Sequence, residues 1–210
     1  MCGRYVVTNA VTKTKGLVKS AIQIEDNENY NAHPYQNLPV IKKYTNGSAL
    51  EKLKWGIVPS WSKKKDFKPL INSRLETIDE KISFKKLIKL KRCIAIADGF
   101  YEWKRTEKEK KPFFFQREDK KIIYFAGIYD ENEFCLITEQ ASENVLEIHH
   151  RQPVILNQKD LKSYLDLQLD GSAFLKEARK PRLEFYEVSK DVNKPSNNSI
   201  SLIQSLNKTF

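Results

Sequence analysis

Apolar residues in this chain fall in short runs rather than long helical stripes, which predicts a strand-rich fold. Tyr5 to Val7 reads as a short strand. Thr8-Asn9 offers an N-cap, and Val11, Leu17, Val18, Ala21 and Ile22 give a loosely amphipathic helix. Asn27 to Pro39 is polar with two prolines and reads as extended loop. Leu38 to Tyr44 and Ala49 to Val58 are strand-like and flank Asn46-Gly47, a strong hairpin-turn signal. Asp79 to Lys91 puts Ile82, Leu87, Ile88 and Leu90 on a half-buried basic helix.

Cys93-Ile94-Ala95-Ile96-Ala97 is a continuous apolar run, the mark of a buried strand. Lys104 to Lys111 reads as a charged hairpin loop, followed by strands at Phe113 to Gln116, Ile122 to Ile128 and Phe134 to Thr138. Glu143 to Ile148 gives a turn or two of helix, and Val154 to Leu156 a strand. Helices follow at Asn157 to Leu167 and Gly171 to Arg179, then a late strand at Leu183 to Val188 and a polar loop at Asn193 to Ser201. Strands and helices do not alternate. The expected class is therefore α+β, a largely antiparallel, barrel-like sheet with peripheral helices. With no internal repeat and no convincing boundary, residues 1–210 read as a single domain.

Composition adds a partner. The formal charge of +10 implies something acidic, most simply nucleic acid, although lysine runs such as Lys63-Lys64-Lys65 are equally at home on a solvated face. Cys2, Cys93 and Cys135 are odd in number and lack metal-ligand spacing, which argues against a disulfide framework and suits a reducing, intracellular compartment. No stretch calls for a metal or cofactor. No apolar run approaches the span of a bilayer, and nothing resembles a signal peptide, so no membrane partner is expected.

The candidate chemistry begins at Met1-Cys2-Gly3-Arg4. Removal of Met1 would give Cys2 two nucleophiles, a thiol and an α-amine whose pKa of roughly 7.7–8.0 leaves a useful uncharged fraction at neutral pH. A neutral amine attacks an aldehyde to give a Schiff base. The thiol then closes on the imine carbon as a thiazolidine. The same residue also suits a thiol nucleophile for amide hydrolysis, with its own amine as base, and a bare Met-Cys occurs by accident as well. Glu102 lies between aromatics just after the apolar run. It is either a desolvated acid/base or an exposed alternate strand position. His149-His150 point in different directions, so at most one serves chemistry. Trp55 suits the core, whereas Trp61, between a proline and a lysine run, suits an exposed stacking platform.

Six separated blocks resemble the SRAP (SOS response-associated peptidase) family in order, across nearly the whole chain. They are Met1-Cys2-Gly3-Arg4-Tyr5, Tyr30-Asn31-Ala32-His33-Pro34, Trp55 to Trp61, Ile71 to Thr77, Ala97 to Lys104, and His149-His150-Arg151-Gln152-Pro153. Val188-Ser189 and Val192-Asn193 also fit. Departures are mild: Ser73 stands where alanine is common, Gln152 where methionine or arginine is usual, and His33 interrupts an Asn-x-Ala-Pro pattern.

The resemblance implies a DNA-damage protein that binds single-stranded DNA and links itself covalently to abasic sites. It also implies Cys2 as nucleophile, with Asn72, Glu102 and His149 lining its pocket. A titratable His149 suits proton transfer at the sugar ring oxygen, Glu102 suits taking a proton from the amine, and Asn72 both donates and accepts. Arg4, Arg74 and Arg151 are the candidate phosphate contacts, and Trp61 and Trp103 the candidate base-stacking residues, in a monomer. The family name implies peptidase activity, including removal of its own Met1.

Two other classes compete. A class II glutamine amidotransferase also begins Met-Cys-Gly, but it would need neither Glu102 nor His149, and its further glutamine-binding motifs are not seen. A non-enzymatic nucleic-acid-binding module would use the charge alone.

Overall fold

The computed structural model describes residues 2–18, 20–21, 24–25, 28–45, 47–62 and 66–207. Met1, Ile22, Asn27, Asn46 and the Lys63-Lys64-Lys65 run, all named above, lie outside these residues. In chain order the first strands are β1 (Tyr5–Val7), β2 (Ser20–Ala21), β3 (Asn29–Ala32), β4 (Asn37–Tyr44), β5 (Gly47–Trp55) and β6 (Asn72–Arg74). The central ones are β7 (Arg92–Ala97), β8 (Gly99–Arg105), β9 (Lys110–Arg117), β10 (Ile123–Asp130) and β11 (Glu133–Gln140). The last are β12 (Arg151–Pro153), β13 (Ile155–Leu156) and β14 (Leu183–Glu187). Short helices lie at their margins: α1 (Ala10–Thr14), α2 (Leu87–Leu90), α3 (Glu143–Leu146), α4 (Leu161–Leu165) and α5 (Gly171–Glu177).

The strands form two sheets. The smaller has the order β14-β9-β8-β1-β3, all antiparallel. The larger runs β12-β11-β10-β7-β4-β5-β2, with β13 on β10 and β6 on β11. Its pairings are antiparallel except β2–β5, β5–β11 and β6–β11. The β5–β11 pairing turns this sheet back on itself without making a clean barrel. The class is the α+β one expected, with helices at the periphery.

Alternation along the small sheet divides its side chains between two cores. Tyr5, Phe100 and Phe115 face the large sheet, and Val6, Tyr101 and Phe114 face away into a second cluster closed by Val188, Val192 and Leu202. Aromatic rings bridge the sheets: Tyr5 lies 5.0 Å from Trp55 and 5.6 Å from Phe125, and Phe100, stacked on its neighbour Phe115 within the small sheet at 4.9 Å, lies 5.9 Å from Phe125. Such offset and edge contacts are worth about 0.5–1.5 kcal/mol each beyond the area they bury. Gly99 lets β8 lie close against β9, because a Cβ there would meet the Phe114 ring at 2.1 Å.

Several sequence expectations are corrected. Among the described residues of the helix expected from Val11 to Ile22, only α1 and a 3-10 turn at Lys15–Leu17 are helical, and Ser20–Ala21 is the strand β2. Asn9 makes no side-chain cap; Asp98 Oδ2 instead accepts from the Thr8 and Asn9 amides at 2.7 and 3.0 Å. The helix expected from Asp79 to Lys91 shrinks to the single turn α2, and Ile82 is 72% exposed. The loop expected from Asn27 to Pro39 contains β3, and the strands are more numerous than the sequence pattern suggests.

Candidate functional site

The N-terminal residues reach the site by extending the small sheet. Tyr5 pairs with Phe100, and Tyr101 N–H donates to Arg4 O at 3.0 Å, which carries Gly3 and Cys2 along β8 past Glu102. Glu102 shares the inward face with Phe100, two residues earlier, so its carboxyl is buried between the sheets at 2% exposure. This resolves the sequence ambiguity: Glu102 is not an exposed alternate position. Cys2 is fully buried in the main core, and its thiol lies 3.9 Å from Arg4 O.

Asn72 comes from the large sheet. Parallel pairing of β6 with β11 sets Asn72 opposite Leu136, and the Trp55 indole N–H braces the preceding carbonyl, Ile71 O, at 2.9 Å. From there the Asn72 amide donates Nδ2–H to Cys2 O at 2.9 Å. Its Oδ1 is buried with no partner among the described residues.

His149 sits where α3 gives way to β12. Its backbone N–H donates to Val145 O at 3.0 Å, and its Nδ1 lies 3.0 Å from Arg151 N and 3.1 Å from Arg151 O. The His150 ring stacks on it at 4.4 Å, so the two neighbours act as one wall, with His149 half-buried and His150 exposed.

Electrostatic coupling links three of these groups. Burial pushes the Cys2 thiol up, and the nearby Glu102 carboxylate adds to the shift, so the thiol stays protonated at neutral pH. Burial lowers the pKa of His149, and the same Glu102 carboxylate opposes that only in part, so the imidazole stays neutral. The site thus holds a neutral thiol and a neutral imidazole around one enclosed carboxyl.

The candidate DNA contacts divide. Arg74 is exposed and makes no ion pair among the described residues. Trp61 is 54% exposed, its ring braced edge-on by Phe67 at 6.1 Å. The other three are engaged within the protein. Arg4 Nη1 donates to Asn31 Oδ1 and to Val192 O, both at 2.7 Å, and Trp103 Nε1–H donates to Asn193 Oδ1 at 2.7 Å. Arg151 is buried and grips Glu76 with both nitrogens at 2.7 and 2.9 Å, with a further bond to Thr138 O at 2.8 Å.

Sequence reading missed Asn31, Glu76 and Asn193 as supports. Asn31, buried within β3, also donates Nδ2–H to Lys194 O and Asn197 O at 3.1 and 3.0 Å, tying the C-terminal segment over Arg4. The available signal was an asparagine between Tyr30 and Ala32, where a strand otherwise asks for an apolar or β-branched residue. Among the described residues no group of three His, Cys, Asp or Glu side chains is arranged to hold a metal ion, and no helix is long and apolar enough to cross a membrane.

The chain is similar to known proteins along nearly its whole length. A Bacillus subtilis protein named abasic site processing protein YoqW is 34% identical, covering 98% of this chain and 100% of its own length. Escherichia coli YedK, also named an abasic site processing protein, is 30% identical, covering 97% and 99%. A crystal structure of a Bacteroides thetaiotaomicron protein superposes with a TM-score of 0.82 at 23% identity, covering 98% of this chain and 99% of that one. Residues 1–195 match the family described as SOS response associated peptidase. The chain belongs to the SRAP family.

Proposed function

We propose that this protein binds single-stranded DNA at abasic sites and links itself covalently to the opened sugar through Cys2. The observation that carries this reading is the enclosed Cys2, its carbonyl held by Asn72 and its thiol coupled to a Glu102 carboxyl that also couples to His149. The names of the relatives supply the substrate class, an abasic site in DNA.

Loss of Met1 turns the Cys2 nitrogen into an amine. His149, held neutral, moves a proton at the sugar ring oxygen as the hemiacetal opens to its aldehyde. Glu102 takes a proton from the Cys2 ammonium, and the free amine adds to the aldehyde carbon. The carbinolamine loses water to give a Schiff base, with Glu102 returning the proton to the departing hydroxyl. The thiol then adds to the imine carbon. Its sulfur forms the new C–S bond and its proton passes to the nitrogen, closing a thiazolidine and diverting the Schiff base from β-elimination. Asn72 fixes the Cys2 carbonyl and offers Oδ1 to the amine or to a sugar hydroxyl.

The protonated thiol favours an amine-first order. It leaves no thiolate for the rival amide hydrolase while Met1 is attached, so that reading depends on the freed Cys2 amine as base at sulfur. On the DNA, Arg74 is the direct phosphate contact and Trp61 the stacking platform. Arg4, Trp103 and Arg151 serve by holding the walls of the cleft. An abasic nucleotide has no base to unstack, so much of the usual cost of flipping is absent.

The test is incubation with a single-stranded oligonucleotide carrying one abasic site, followed by a denaturing gel and peptide mass analysis. A heat-stable adduct on Cys2, absent in Cys2→Ala, is expected. DNA binding without any adduct would overturn the proposal.

A further inference from the structure

The hairpin formed by β8 and β9 breaks a rule of sheet pairing. Glu102 pairs with Phe113 and Trp103 with Pro112, as suits a strand leaving the core. The next two rungs are Lys104 opposite Lys111 and Arg105 opposite Lys110, cation facing cation twice in succession. Like charges directly opposite each other destabilise an antiparallel pair. The turn beyond is well made, with Thr106 N–H donating to Glu109 O at 2.9 Å, so the repulsion is held in a formed ladder rather than a frayed one.

Most of this charge is not neutralised nearby. Lys111 is met by Glu187 at 3.4 Å and by Glu109 at 3.5 Å, and the other oxygen of Glu109 meets Lys190 at 2.6 Å. Lys104, Arg105, Lys108 and Lys110 are all exposed and make no ion pair among the described residues. Position matters as much as charge. Side chains alternate along a strand, so Lys104 lies on the Glu102 face, about 7 Å further out. Arg105 likewise continues the face of Trp103.

We propose that the Lys104–Lys111 hairpin is a phosphate-binding arm that grips the single strand next to the nucleotide held at Cys2. The arm rests on the reading of this protein as a single-strand DNA binder. Phosphates lying along the hairpin supply the anions that Lys104, Arg105 and Lys110 lack, so the ladder is relieved in the complex. Contact is to backbone and not to base edges, and it is therefore independent of sequence.

The experiment is anisotropy of an undamaged, labelled single-stranded oligonucleotide across a sodium chloride series. Each phosphate contact on a single strand contributes about 0.7 to the slope of log K against log salt. The double variant Lys104→Ala/Arg105→Ala should lower that slope by about 1.4, with weaker binding to every sequence. Lys110→Glu sets a carboxylate opposite Arg105. It should weaken DNA binding while leaving Tm at or above that of the wild type, which a merely misfolded hairpin would not do. Lys81→Ala/Lys85→Ala removes the same charge from two exposed positions elsewhere and should leave the slope unchanged.

A hairpin double variant with wild-type slope and affinity would overturn the proposal, as would an equal loss in the Lys81/Lys85 control. Undamaged DNA needs no chemistry at Cys2. A protein that makes no adduct but loses slope in the hairpin variant refutes the covalent reading and leaves the arm standing; an adduct with an unchanged slope does the reverse.

Discussion

Asn72 donates its side-chain amide to the backbone carbonyl of Cys2 at 2.9 Å, so a residue of the large sheet fixes the proposed nucleophile carried by the small one. One such bond contributes only about 1 kcal/mol to stability. Its value for reaction is larger, because small misplacement of a reacting group costs up to about 100-fold in rate. Asn72→Ala should therefore lower Tm by only a few degrees but slow adduct formation by about 10- to 100-fold in a gel time course. Asn72→Asp, which replaces the donor with an oxygen facing the Cys2 carbonyl, should be no faster than the alanine variant. A variant that loses stability and rate in proportion would reduce Asn72 to a structural role.

His149 gives a pH signature with a definite sign. Burial lowers its pKa from the ordinary 6.5, and Glu102 offsets this only in part. As pH falls through 6.5, the unfolded chain takes up a proton that the folded protein resists, so stability drops on acidification and recovers as pH rises. Tm measured between about pH 5 and 7 should fall more in the wild type than in His149→Gln. Adduct formation by the wild type should fall over the same acid range as both imidazole and amine protonate. In the variant it should be slower throughout and follow only the amine, near 7.7–8.0. Superimposable pH profiles would remove the imidazole from the mechanism.

The candidate site residues stand out in the sequence more clearly than the strands and helices that carry them. Glu102 is legible in retrospect, because Phe100 two residues earlier marks the inward face and alternation does the rest. Asn72 and His149 could not be joined to Cys2 by any local pattern, since β6, the turn after α3 and the N-terminus meet only through sheet pairing. The helices were overread for a physical reason. Val11, Leu17 and Leu87 satisfy a helical period, but the distant Asp98 carboxylate fixes only where α1 begins, and both α1 and α2 end after about one turn. The β3 strand escaped because Asn31 spends its polarity on the C-terminal segment rather than pairing with a core. Arg151 looked free on paper, and only the fold reveals its grip on Glu76.

That grip is itself testable. Burial alone would raise the Glu76 pKa, but hydrogen bonds from Arg151 outweigh it and hold the carboxyl below its usual 4.5. The stability this supplies is present above 4.5 and disappears as pH falls through the lower, folded value. Breaking a buried pair typically costs about 3–5 kcal/mol, but the Glu76 side chain is 42% exposed, so solvent reduces this to about 1–3 kcal/mol. Glu76→Gln should lower Tm at neutral pH by about 3–10 °C and flatten its dependence on acid. An unchanged Tm would mean that Arg151 finds water or another acceptor at no cost.

Gly99 supports the same strand that carries Glu102. A Cβ at this position would lie 2.1 Å from Phe114 Cζ and 2.7 Å from Phe115 O, and the carbonyl cannot move without disturbing the β8–β9 ladder. Gly99→Ala should cost about 1–3 kcal/mol and slow adduct formation by shifting Glu102 relative to Cys2. Gly16→Ala, with nothing within 4 Å of the added carbon, is the matched control and should leave both unchanged. Thermal melts and the gel assay on both proteins decide it.

The order of bond formation at Cys2 can be read from its sulfur. Burial, reinforced by Glu102, raises the thiol above its ordinary 9.0, so thiolate is scarce where the amine is already free. Alkylation of Cys2 by iodoacetamide in Met1-free protein should be slow at pH 8 and should keep climbing beyond pH 9, where an ordinary thiol levels off. Steric shielding alone would slow the reaction without moving that inflection. A small aldehyde such as glyoxylate should still condense at pH 7–8, losing one water through the amine. Cys93 and Cys135 are also buried and free, so denatured protein provides the count. After aldehyde treatment two of the three cysteines should accept label, because the Cys2 sulfur is tied up in the ring; three would mean that reaction stopped at the imine. Fast alkylation at pH 7 with a plateau below 9 would reverse the order and restore the thiol-first hydrolase as the better reading of this site.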